Sequence, residues 1–264
     1  MSPTITDISF LKDYLEEKYF IYNSKQFIEK DPISIPHLFS KKEDLEISGF
    51  LTATISWGNR ASIIKNARQL MNYMDHAPYE FIMEHTQKEL KPVEKFVHRT
   101  FNGMDCKFFM HSLRTIYKTH GGLEKAFQVP VSLNDSSVKN NIIHFRKLFL
   151  EPKHLARVEK HISDPGNNSS AKRICMFLRW MVRKDKSGVD FGIWKSITPS
   201  QLCLPLDIHT GTVGRALGLL SRKQNDWKAV EEITNVLRGF DERDPVKYDY
   251  ALFGLGVEKA FEKF

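Results

Sequence analysis

Cysteine is scarce in this chain of 264 residues: Cys106, Cys175 and Cys203 are the only three, and they are widely spaced. No four-cysteine cluster is present to ligate an iron–sulfur centre or a structural zinc ion. Cys175 and Cys203 lie in apolar stretches and read as buried thiols, which suits a reducing compartment, and the expected location is cytoplasmic. A run of roughly 18 apolar residues is also lacking, so no membrane span is expected. Met1 to Asp7 is polar and has none of the marks of a cleavable signal. The His-Asp dyads of metal-dependent helical hydrolases are missing as well. Asp75-His76 has no partners at ligand spacing, a lone His209 makes no metal site, and no metal is expected. Strand-like alternation, internal repeats, low-complexity tracts and flexible linkers are all absent.

What remains is helical periodicity. Hydrophobic residues make up 41% of the chain, enough to bury a substantial core. Apolar residues recur at three- and four-residue steps over Ile5 to Tyr22, Lys41 to Ile55 (with Ser40 as a cap) and Ala61 to Met74. A shorter helix begins at Pro78, and His85 to Pro92 reads as loop. Asp105 to His120 is closed by Gly121-Gly122. After a polar connector over Pro130 to Ser137, helices are expected at Val138 to Leu150, Ala171 to Arg183, Ile208 to Leu217, Trp227 to Arg238 and Val246 to Phe253. The fold class is all-α. The formal charge of +7 and pI near 9.2 are compatible with a polyanionic partner.

The most informative stretch runs from Ile162 to Leu220. Asp164-Pro165-Gly166 is strong turn chemistry, and Ser169 or Ser170 can cap the helix that follows. With Ser169 as cap, Lys172 falls at the third helical position, where a capping box would carry Glu or Gln. A cation in the first turn opposes the helix dipole, an environment that suits a lysine acting as an amine nucleophile. Asp207 immediately precedes the helical run from Ile208 and can cap it with its carboxylate. An amine nucleophile beside a carboxylate is a coherent pair for chemistry that develops positive charge. Taken singly, Lys172 reads as a surface lysine and Asp207 as a simple cap. The cluster Arg179, Arg183, Lys184 and Lys186 reads as a solvated helix end that complements the dipole.

The turn, the Lys172 helix and the Asp207 helix together resemble the helix-hairpin-helix DNA glycosylase superfamily. The similarity is closest to the lyases that excise 8-oxoguanine, including the archaeal branch with an extended lysine-to-aspartate spacing; here the two are 35 positions apart. Phe50 to Arg60 is similar to that family's early helix pair, Cys106 to Gly122 to its helix ending in a Gly-Gly turn, and Tyr248 to Gly256 to its closing helix. One departure is plain. The usual hairpin is Leu-Pro-Gly-Val-Gly, whereas this turn has a single glycine, Gly166, with Asn167 and Asn168. Asparagine tolerates the left-handed region, so the turn can still close.

The resemblance implies one two-lobed helical unit, with residues 40–130 as first lobe and 1–39 with 131–264 as second lobe. It implies a bifunctional glycosylase and abasic-site lyase acting on damaged double-stranded DNA. Lys172 would attack the sugar and Asp207 would stabilise the developing positive charge. Gly166, Asn167, Asn168, Ser169, Ser170, His209, Asn59 and Arg60 would contact DNA. Trp57, Phe253 and Asp249 would serve the base pocket, although Trp57 and Phe253 equally suit a core. No cofactor is needed for this chemistry, and only a monovalent cation on the hairpin carbonyls is suggested by the family. No obligate protein partner and no membrane are expected. Other classes stay open: a DNA-binding module of this fold without the chemistry, a helical scaffold, or an enzyme of this fold acting on another base or on RNA.

Overall fold

The computed structural model describes residues 8–129 and 136–259. The start of the first expected helix and most of the 130–137 connector lie outside the described residues. The chain is mostly helical, 63% helix and 2% strand. In chain order the helices are α1 (Ile8–Tyr22), α2 (Lys25–Lys30), α3 (Lys42–Thr54), α4 (Arg60–Tyr73), α5 (Pro78–Glu84), α6 (Gly103–Thr119), α7 (Leu123–Ala126), α8 (Lys139–Phe149), α9 (Lys172–Val182), α10 (Ile208–Ala216), α11 (Trp227–Phe240) and α12 (Tyr248–Glu258). The strands β1 (Val97–His98) and β2 (Phe101–Asn102) form a minimal antiparallel hairpin. No helix among the described residues is long and apolar enough to cross a membrane.

The chain divides into two compact units, residues 28–134 with 140–163, and residues 1–27 with 135–139 and 164–264. This division differs from the expected 40–130 lobe at both ends, for reasons of packing. The 3-10 turn Pro32–Ser34 carries the fully buried Ile33, Ile35 is fully buried between it and the turn Pro36–Leu38, and the two turns pack on α3 and α4. Phe145 and Phe149 of α8 join an aromatic core with Phe50 and Phe109, at centroid separations of 4.9 to 6.0 Å. Edge-to-face rings add stabilisation beyond their buried area, about 0.5–1.5 kcal/mol per pair.

Helix starts follow the side chains that can satisfy them. Asn102 and Asp105 form a reciprocal capping box on α6, two residues earlier than the expected Asp105 start. Ser40 does not cap α3; Lys41 holds that position, with no side-chain bond. The last helix begins at Tyr248 after a 3-10 turn over Pro245–Lys247, and continues to Glu258 instead of stopping at Phe253. It is apolar on nearly every side and correspondingly buried, with Tyr248, Ala251, Leu252 and Leu255 at 0% exposure. Two glycines let other helices approach it. A Cβ on Gly254 would lie 2.4 Å from the Tyr22 ring of α1, and one on Gly256 would lie 2.8 Å from His209 Cβ on α10. Sandwiched in this way, α12 fixes where α10 begins.

Candidate functional site

The turn before α9 is closed by one aspartate. Asp164 Oδ1 accepts from the Gly166 amide at 2.8 Å and Oδ2 from Asn167 Nδ2 at 2.7 Å. The Asp164 carbonyl accepts from the amides of Asn167 and Ser169, at 3.2 and 3.1 Å, and the Pro165 carbonyl from that of Asn168 at 3.1 Å. Asn168 adopts φ 64°, the left-handed conformation that asparagine tolerates. The amides of Gly166 to Ser169 therefore all donate inside the turn. The segment before the turn, Ala156–His161, is a 3-10 helix and not the α-helix of a regular hairpin.

Neither Ser169 nor Ser170 caps α9. Ala171 does so, in the left-handed region at φ 47°, and Ser169 Oγ accepts its amide at 3.3 Å. Such a conformation costs an alanine about 1–2 kcal/mol, sustained here by full burial of the Ala171 side chain. The shift makes Lys172 the first residue of the helix, not the third, beside the amides that have no intrahelical acceptor.

Asp207 stands where the sequence puts it. Buried Leu204 and Leu206 anchor the approach, and the Leu204 amide donates to Thr234 Oγ1 at 3.1 Å. Asp207 then caps α10, Oδ1 accepting from the Thr210 amide at 2.9 Å. Its other oxygen, Oδ2, lies 4.0 Å from Lys172 Nζ. One carboxylate thus serves the helix and the lysine at once. Both side chains are about a quarter exposed, at 26% and 22%, so the pair is open to a ligand. Lys172 Nζ also lies 3.7 Å from Met176 Sδ one turn along α9.

The same face of α9 continues through Arg179 and Arg183, and here the expectation of a solvated helix end is overturned for the two arginines, while Lys184 and Lys186 are exposed. Arg179 is 4% exposed and Arg183 1%. Arg179 donates to Asp249 of α12 and, at 3.3 Å, to Asp190. Arg183 pairs with Asp190 at 3.1 Å, Asp244 at 2.8 Å and Asp185, and donates to Tyr19 Oη at 2.7 Å. Four aspartates, all C-terminal to α9 in sequence, fold back onto it. Tertiary pairing, not the helix dipole, accounts for these arginines. Burial pushes the Asp249 carboxyl up to about 6; Arg179 opposes that rise, the Asp207 carboxylate adds to it and Lys172 counters it. Asp249 is therefore electrostatically part of the Lys172–Asp207 site. Burial also pushes Arg173, beside Lys172, down to about 10.

The remaining candidates divide. His209 is exposed at the start of α10, its ring centroid 6.1 Å from that of half-buried Phe253 in an edge-to-face arrangement, and Phe253 packs edge-on to Phe27 at 6.2 Å. In the other unit, Trp57 lies against His98 at 5.0 Å and His161 at 6.1 Å. Asn66 Nδ2 donates to His98 Nδ1, so His98 Nε2 donates to the Trp57 carbonyl. Exposed Asn59 caps α4 through the Ser62 amide, and Arg60 is its first residue. One unit thus gathers Lys172, Asp207, Asp249 and His209 with the turn; Trp57, Asn59 and Arg60 belong to the other. Cys106, Cys175 and Cys203 are all buried free thiols.

Sequence reading missed the turn at residues 221–226. Asn225 Nδ2 donates to the Asp207 carbonyl at 3.0 Å, and Asp226 accepts from Asn168 Nδ2 at 2.9 Å. Asp226 is also the N-cap of α11, accepting from the Ala229 amide at 3.1 Å. An aspartate directly before the expected helix at Trp227 was the available signal.

Neither the curated proteins nor the solved structures contain a match to this chain. A protein family of unknown function, DUF2400, matches residues 31–258, a span that takes in Lys172, Asp207, Asp249 and the 221–226 turn. The chain belongs to the DUF2400 family.

Proposed function

We propose that this protein is a DNA glycosylase with abasic-site lyase activity, built on a helix-hairpin-helix glycosylase-like arrangement and acting on a damaged base in duplex DNA. The observation that carries the reading is the 4.0 Å approach of Lys172 Nζ to Asp207 Oδ2, at the starts of two helices and across 35 sequence positions. A partly exposed lysine held near a carboxylate that also caps a helix is what an amine nucleophile needs: a fixed position and a neighbouring proton acceptor.

In this reading the target nucleotide is extruded from the duplex. Asp207 takes a proton from the Lys172 ammonium, and the amine lone pair forms a bond to the sugar C1′. The bond from C1′ to the base breaks, and its electron pair leaves with the base, which gains a proton. A second proton moves from nitrogen to O4′ as the C1′–O4′ bond breaks, which opens the sugar ring and leaves a protonated imine between Lys172 and C1′. Removal of a C2′ proton then expels the 3′ phosphate and nicks the strand. Passing that proton on to the departing base returns Asp207 to the carboxylate, which then faces the positive charge that builds on the sugar. The basic net charge supports a polyanionic partner, and binding to duplex DNA should weaken steeply with salt.

The test is incubation with a panel of lesion-bearing and abasic duplexes in borohydride. Reduction of the imine should link protein to DNA permanently, and Lys172→Gln should abolish the link while duplex binding persists. No link from the native protein on any duplex would end the reading, and undiminished linking by the variant would move the nucleophile elsewhere.

A further inference from the structure

Lys172 and Asp207 are 35 positions apart, so contacts from outside the intervening chain bear on their approach. The 221–226 turn touches Asp207 and the turn that precedes Lys172 through two consecutive residues. Asn225 holds the Asp207 side: its Nδ2 donates to the Asp207 carbonyl at 3.0 Å and its Oδ1 accepts from Arg215 Nη2 at 2.6 Å. Arg215 fastens the turn to α10 through the carbonyls of Arg222 at 2.8 Å and Lys223 at 2.9 Å. Gly211 leaves the space these groups occupy; a Cβ there would lie 2.9 Å from both Arg215 Nη1 and Asn225 Oδ1.

Asp226 holds the Lys172 side. It accepts from Asn168 Nδ2, while the Trp227 amide donates to the Asn168 carbonyl at 3.1 Å and Ser169 bridges Asp226 backbone to backbone. Arg222 Nε fixes the same carboxylate at 2.7 Å. The turn that precedes Lys172 and the cap that carries Asp207 are therefore tied to neighbouring peptide units.

We propose that Asn225-Asp226 is a positioning element that sets the separation of Lys172 from Asp207, with Arg215 and Gly211 as its support on α10. Its role in base excision rests on the function proposed above; its role in alignment does not. Asn225 is exposed, so removing its side chain should disturb alignment far more than folding.

Two measurements test this. In single-turnover base release, Asn225→Ala should lower the rate by about tenfold or more at unchanged duplex affinity and melting temperature, because small misplacements of reacting groups are costly. Asn225→Asp keeps the Arg215 partner but has no donor for the Asp207 carbonyl, and should fall equally. The second measurement needs no activity. Reductive methylation with 13C-formaldehyde gives Lys172 a dimethylammonium resonance, assigned by its loss in Lys172→Gln. Asp207→Asn should displace that resonance, and Asn225→Ala and Asn168→Gly should displace it in the same direction. If the native protein links to DNA but the Asn225 variants release base normally, the positioning role is overturned and the glycosylase reading stands. If the native protein links to nothing, the glycosylase reading falls and the resonance decides alone: displacement upholds the alignment role, and an unmoved signal overturns it.

Discussion

Arg179 on α9 and Asp249 on α12 form a buried ion pair, and Asp190 shares the same guanidinium. Arg179→Met would keep the aliphatic stem and remove the charge, leaving Asp249 without its main counter-ion. Breaking a buried pair from one side costs about 3–5 kcal/mol, so urea unfolding should show a loss on that scale. Removing both charges, as Arg179→Met with Asp249→Leu, should recover part of it. A loss below about 1 kcal/mol would mean that water already screens the pair.

Asp249 makes stability depend on pH in a definite direction. Its carboxyl is raised from the ordinary 3.8 to about 6 by burial, with Asp207 and Asp190 adding to the shift and Arg179 and Lys172 opposing it. The folded chain then binds this proton more tightly than the unfolded chain. The stability contributed is complete below about pH 4 and is lost as pH rises through about 6. The difference in unfolding free energy between the native protein and Asp249→Asn should therefore decline across that window. A flat difference would remove Asp249 as the titrating group.

At Asp207 the cap and the charge can be separated. Asp207→Asn keeps an oxygen for the Thr210 amide, so thermal stability should change by no more than about 1 kcal/mol. Base release should slow strongly, since the carboxylate facing Lys172 is gone. Asp207→Ala should lose the cap as well and unfold more easily than the asparagine variant. Equal base release by native and asparagine forms would confine Asp207 to capping.

Gly256 sets the distance between α12 and α10. Gly256→Ala would press a methyl against His209 Cβ and its backbone. Backbone cannot rotate away, so overpacking of about 1–3 kcal/mol is expected, with displacement of the helix start that carries Asp207. Gly239→Ala, with open space around its Cβ, is the matched control. Equal melting temperatures for the two variants would show that α10 shifts freely.

The helices were legible because each hides an apolar face at regular spacing, as α1, α6 and α11 do. Asp207 was legible because capping is local: the residue, its helix and its acceptor role lie within four positions. Lys172 stands two positions nearer the start of its helix than its sequence context implies, because two serines offer a better cap than Ala171 and only tertiary packing holds an alanine at positive φ. The burial of Arg179 and Arg183 was illegible for a related reason. Their partners Asp185, Asp190, Asp244 and Asp249 lie up to 70 positions away, and a basic helix end looks the same in sequence whether water or carboxylates surround it. The 221–226 turn is illegible in the sequence because its polar residues match any surface loop; its contacts with Asp207 and Asn168 exist only in three dimensions.

Sharing two guanidinium groups among four aspartates also constrains how this protein can diverge. Loss of one arginine strands carboxylates, and loss of one aspartate strands an arginine, so each first step along a lineage is disfavoured. Joint replacement by apolar residues of matching volume is tolerated far better. Descendants that exchange Arg179 should carry a compensating change at Asp249 or Asp190, so that these positions are inherited as a block while the exposed Lys184 and Lys186 beside them drift independently.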